Sequence, residues 1–275
     1  MARPEPAAPA APDEAELDDG RMPFFQHLRE LRDRLRNAAI FFILGTIVSW
    51  FFGEDIYAWL RVPLDKAWAR AAVTHPELGD TTRMAFTSIV EPFWVYMSVA
   101  LWAGIFVSSP FMFHQLWKFI APGLYKRERR YAVGFSLASA LFFIGGALFC
   151  YYFVLDNLFY FLLGYSSKTT LPMLSMRDYF DLTKSMMLAF GGVFELPILI
   201  YFLATAGVVT PRKLWKFNRW FIVIAFIIGA VLTPSPDVVS QVMMALPMVV
   251  LYNASILVSF LVIRRRDATA AIPPS

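Results

Sequence analysis

Residues 108–130 read SSPFMFHQLWKFIAPGLYKRERR. The stretch starts as the end of an apolar helix and meets the breaker Ala121-Pro122-Gly123. It closes on five consecutive charges, Lys126, Arg127, Glu128, Arg129 and Arg130, and a second long apolar run follows from Tyr131. A short basic loop pinned between two apolar runs marks a chain that crosses a membrane and turns back on its cytoplasmic side. Glu128 is the single acid inside that ring of positive charge, a position suited to receive a cationic group.

The composition agrees with that reading. Hydrophobic residues make up 58% of the 275 and aromatic residues 17%, with 27 Phe. These shares exceed those of soluble domains and suit lipid-facing surfaces and interfacial belts. The apolar runs leave no room for a separate soluble unit, so residues 21–263 are expected to form one membrane domain, followed by a short tail, 264–275. Residues 1–20 are Ala, Pro and acid without hydrophobic periodicity, the pattern of a disordered tail, and lack the basic and apolar regions of a secretory signal. Cys150 is the only cysteine, which excludes an intrachain disulfide, a Cys-rich metal site and a redox CxxC pair.

Taken in order, the fold class is an all-α membrane protein with six spans and helical periplasmic caps. Phe24, Leu28, Leu31 and Leu35 share one helical stripe, expected to lie at the membrane surface before span one at about 37–52. Residues 53–90, with Pro63 and Pro76, read as an ordered cap of short helices. Span two covers about 93–113, its end bent by Pro110. Span three covers about 131–155. A second polar segment, 156–183, carries a helix start at Ser175. Spans four, five and six follow at about 186–206, 217–233 and 239–263. The fifth is expected to be short, about 25 Å against a hydrocarbon core of about 30 Å. Eighteen of the 25 Lys and Arg lie in 1–36, 118–130, 212–219 and 264–266, which puts both termini in the cytoplasm.

Three acids stand out. Glu195 falls near the middle of span four, where an ionised carboxylate is costly and must face protein or water. Gly191 and Gly192 precede it, and Pro197 cannot donate to the carbonyl of Val193. The alternative is a protonated structural Glu bonded to a neighbouring helix. Glu30 shares a helical face with His27 and Arg34, and on the residues alone an intrahelical Glu30–Arg34 pair is the simpler reading. Glu128 could equally be balanced by its basic neighbours.

The order of four segments carries a resemblance: FQHLRELR at 25–32, the loop of 108–130, GVFELP at 192–197 and LTPSPD at 232–237. Together they resemble the TatC family, the multi-spanning receptor of the twin-arginine protein translocase, over about 23–263. The resemblance implies that Glu30 and Glu128 fall on the family's signal-binding positions. It also implies that Phe119 and Pro110 shape that site and that Pro63 and Asp237 are structural. Thr233 and Gln241, alone readable as a cap and an interfacial polar residue, join Glu195 in the family's intramembrane cluster where the single-span TatA and TatB helices dock. Here Pro234-Ser235-Pro236 stands where many relatives have Pro-Pro, which lengthens the Thr233–Gln241 spacing by one residue.

Enzymatic readings fail on the residues: no His-x-x-x-His pair, no Gly-x-Ser-x-Gly elbow and no phosphate-cradling glycine loop is present. No catalytic residue, metal, cofactor or nucleic acid is therefore expected. The resemblance implies a proton-motive-force-driven exporter of folded proteins in the bacterial inner membrane. Its implied partners are twin-arginine signal peptides, TatA- and TatB-like proteins, membrane lipids and further copies of itself. The alternative is a proton-coupled secondary transporter using Glu195.

Overall fold

The protein is described by a computed structural model that covers residues 14–79, 82, 84–86, 88–120, 132–167, 172–232 and 238–270. Its helices are α1 (Glu14–Trp50), α2 (Gly53–Thr74), α3 (Glu91–Ile120), α4 (Ala132–Phe149), α5 (Asp156–Leu163), α6 (Met176–Phe194), α7 (Leu196–Thr205), α8 (Pro211–Leu232) and α9 (Val238–Ala270). A π-helical turn, Cys150–Leu155, joins α4 to α5. Among the described residues, five segments are long and apolar enough to cross a membrane, and a sixth arises if α1 and α2, which meet at 83°, count as one broken span.

Two expectations change at the N-terminus. α1 is a single helix, not a surface helix followed by a span, and it already begins at Glu14, inside the stretch read as a disordered tail. No glycine or proline stands between Pro23 and Gly45, so nothing ends the helix at the membrane surface. Its apolar stripe turns toward α3: Leu31 and Leu35 share a cavity with Leu116 and Phe119.

The spans form an open row. α1 packs chiefly on α3, α3 on α4, α4 on α6, α7 on α9, and α9 on α8. The end members, α1 and α8, therefore expose apolar side chains such as Ile43, Ile47, Ile227 and Val231. Close crossings sit at small residues, as helix pairs in lipid require. A β-carbon at Gly104 would fall on Thr46, and one at Gly146 would lie 2.6 Å from the Phe190 carbonyl.

Opposite the basic loops, α2, α5 and the short strands β1 (Met84–Ala85) and β2 (Leu174–Ser175) form a cap, the strands pairing in parallel. Leu60, Leu64, Ala67 and Trp68 are its buried face. Pro63 lies inside α2 and has no N–H for the carbonyl of Trp59. The Tyr151 hydroxyl donates to that carbonyl at 2.7 Å, and its ring stacks on Trp59. Tyr179 donates to the Leu60 carbonyl at 2.6 Å, and Trp68 to that of Gly79 at 3.0 Å. The cap is thus stitched to α6 and to the end of span three by donors from other elements. Ser175 caps α6 as expected, accepting from the Asp178 N–H.

The helix of the fifth span extends beyond its apolar run. Pro211 opens α8 six residues before the apolar run, with its fixed φ suited to a first helical position, and the Thr210 hydroxyl accepts from the Lys213 N–H. At 22 residues α8 is about 33 Å long, but Arg212, Lys213 and Lys216 occupy its first turns, so the apolar run from Phe217 remains shorter than a hydrocarbon core of about 30 Å.

Candidate functional site

Span four breaks where the acid stands. α6 ends and α7 begins at Glu195, because Pro197 cannot complete the helical ladder and the Glu195 N–H turns back to Gly192 at 3.2 Å. The glycines before it have separate uses: a β-carbon on Gly191 would meet the Phe143 ring at 2.8 Å, whereas Gly192 faces open space. The Glu195 carboxyl lies across from the Ser139 hydroxyl of α4. Ser139, itself 0% exposed, accepts from the indole N–H of Trp117 on α3 at 2.8 Å. Trp117 is held by Phe135, stacked at 5.1 Å, and by Phe202, edge-on at 5.0 Å. Of that carboxyl, Oε1 is buried with no hydrogen-bond partner among the described residues. Trp117 and Ser139 were not among the candidates read from the sequence. The one legible signal was a small polar residue inside an apolar run.

At the end of α3 lies a second assembly. His27 of α1 stacks on Phe119 with ring centroids 4.5 Å apart and planes 14° from parallel. One turn further along α1, Glu30 accepts from Arg34 at 3.1 Å, the intrahelical pair that the residues alone favoured. Both side chains are part-exposed. Below them an apolar cavity of about 380 Å³ separates α1 from α3, walled by Leu31, Leu35, Met112, Phe113, Leu116 and Phe143. Pro110 lies deeper, inside α3, and the Ser109 hydroxyl donates at 2.8 Å to the Phe106 carbonyl that Pro110 leaves unserved. The structure therefore joins Glu30, His27 and Phe119 and sets Pro110 apart from them. Glu128, Thr233 and Asp237 fall outside the described residues.

Gln241 is in the first turn of α9, where its carbonyl lies 3.3 Å from the position of a β-carbon on Gly229 of α8. Val258 of α9 shares a cavity of about 370 Å³ with Pro197, Ile198 and Tyr201. Gln241 is about 17 residues, or ~25 Å of helix, from Val258, so Gln241 and Glu195 lie at different depths. On the cap side, a polar cavity of about 930 Å³ opens between α3 and α6. Glu91, Trp94, Asp178 and the Asp181–Lys184 ion pair line it.

A row of apolar helices, capped on one side and holding a carboxyl within its fourth span, defines an all-α multi-span membrane protein. This chain belongs to the TatC family: the model of that family, Sec-independent protein translocase protein (TatC), matches residues 26–247. The TatC of Koribacter versatilis is 40% identical over 255 residues, covering 91% of each chain. That of Aquifex aeolicus is 38% identical, covering 89% of this chain and 98% of its own. A crystal structure of the twin-arginine translocase receptor TatC superposes with a TM-score of 0.74 at 37% identity, over 86% of this chain and 99% of that one.

Proposed function

We propose that the chain is the signal-peptide receptor and core subunit of a Sec-independent translocase in the bacterial inner membrane, with both termini cytoplasmic. Glu30 and Glu128 accept the two arginines of a signal peptide. Glu195, with Thr233 and Gln241, receives the helices of TatA- and TatB-like partners. The observation that carries the reading is the His27–Phe119 stack, which fastens the Glu30 face of α1 to the end of α3. The loop bearing Glu128 begins just after that end.

The Glu30–Arg34 pair suits an exchangeable site. A part-exposed i,i+4 pair contributes about 0.3–0.5 kcal/mol. An arriving guanidinium can bind a carboxylate through two parallel hydrogen bonds and displaces such a pair at little cost. A secondary transporter built on Glu195 draws no support from the family match. The test is binding of a twin-arginine peptide to wild type, Glu30→Ala, Glu128→Ala and the double variant at fixed salt. Each single variant is expected to bind about tenfold more weakly, and wild-type affinity in both would remove the assignment.

A further inference from the structure

We propose that the polar cavity between α3 and α6 holds the headgroup of an aminophospholipid, a phosphate joined to a primary ammonium, drawn from the leaflet on the cap side. The cavity, of about 930 Å³, lies where both helices begin, at Glu91 and Met176. Its two walls differ in charge. The α3 wall carries one ionisable side chain, Glu91, which is 8% exposed. The α6 wall carries two cations, Arg177 and Lys184, together with Asp178 and Asp181. Arg177, Asp181 and Lys184 stand at i, i+4 and i+7, so one face of α6 presents them together.

The walls decide the class of ligand. Glu91 offers a desolvated carboxylate, against which an ammonium is held more strongly than at an open surface. Across the cavity, Asp181 is shared by Arg177 at 3.6 Å and by Lys184. One carboxylate does not use all the N–H donors of both cations. The Arg177 side chain is 72% exposed, which leaves its guanidinium donors to spare for a phosphate oxygen. A metal ion does not fit, because among the described residues no three acidic, His or Cys side chains converge as ligands. A simple anion would meet three carboxylates against two bases. A zwitterion with separated charges matches both walls. The source is the bilayer: Val90 and Trp94 line the cavity yet are each 59% exposed, and Phe93 beside them is exposed too. Aromatic rings at the ends of spans mark the headgroup level. Apolar side chains at the cavity mouth suit the acyl chains that trail a bound headgroup.

The test uses full-length protein in phosphatidylglycerol vesicles that hold a trace of phosphatidylethanolamine with a photoreactive group beside its headgroup. Cross-linked peptides are read by mass spectrometry. Labelling is expected within 88–98 and 175–184, and a matched phosphatidylglycerol probe, which has the phosphate but no ammonium, should label them at least fivefold less. Glu91→Gln keeps the side-chain shape and should abolish that preference. Arg177→Gln should lower phosphatidylethanolamine labelling about threefold with the unfolding temperature unchanged, and it decides the matter alone if Glu91→Gln does not insert. Equal labelling by the two probes in wild type, or wild-type labelling in either variant, would overturn the proposal. Excess soluble phosphoethanolamine should leave the label in place. Full displacement would assign the cavity to a free ligand and overturn the lipid.

Discussion

The cap and the basic side of this protein are held in opposite ways. In the cap, Tyr151, Tyr179 and Trp68 each donate to a backbone carbonyl of another segment. Arg61 binds Asp65 and the Thr82 carbonyl, and Arg70 binds Asp156 while lying over the Tyr160 ring. On the basic side, α1 meets its neighbour at the Glu30 level through one ring stack among the described residues, and Glu30 itself is paired only within α1. Buried, directional bonds fix geometry, whereas part-exposed pairs exchange partners readily. The contrast teaches a division of labour: one face sets the row of spans, and the other remains free to bind.

Three substitutions probe that contrast. Trp68→Ala should cost the most, about 3–5 kcal/mol, because it removes a 6%-exposed indole and orphans the Gly79 carbonyl. Thermal unfolding in detergent would show it, and a shift no larger than that of a basic-side variant would erase the distinction. Tyr151→Phe should cost about 1–2 kcal/mol by stranding the Trp59 carbonyl. In a Pro63→Ala background the same change should cost less than half as much, since residue 63 then supplies an N–H of its own. Equal costs in the two backgrounds would show that Pro63 does not create the acceptor. His27→Ala should change stability by less than about 1 kcal/mol while weakening twin-arginine peptide binding, which separates holding from recognising.

Much of the architecture was legible because long apolar runs and clustered basic residues are strong signals in lipid. The spans from α3 onward lie where hydropathy put them, and the break at Pro197 and the cap at Ser175 follow from local chemistry. The continuity of α1 was harder to read. Its charged half looks like a surface helix, and only the presence of α3 alongside shows what its stripe faces. Likewise Pro63 and Pro110 announce unserved carbonyls in the sequence, but Tyr151, 92 positions from Trp59, could not be named as the donor without the fold. The site divides in the same way. Glu195 was conspicuous as an acid in an apolar run, whereas the bond from Trp117 to Ser139 beside it shows only once α3 and α4 are side by side.

The central claim is that a carboxylate at Glu30 is available for exchange with a signal-peptide arginine. The most direct measurement is the ratio of affinities for a twin-arginine and a matched twin-lysine peptide, taken with wild type and with Glu30→Gln at one salt concentration. Lysine cannot reproduce a two-pronged guanidinium contact, so wild type should prefer arginine by roughly tenfold to a hundredfold. Glu30→Gln should bring that ratio most of the way to unity while leaving the unfolding temperature nearly unchanged, because the Glu30–Arg34 pair contributes little to stability. An unaltered ratio in Glu30→Gln would contradict the account.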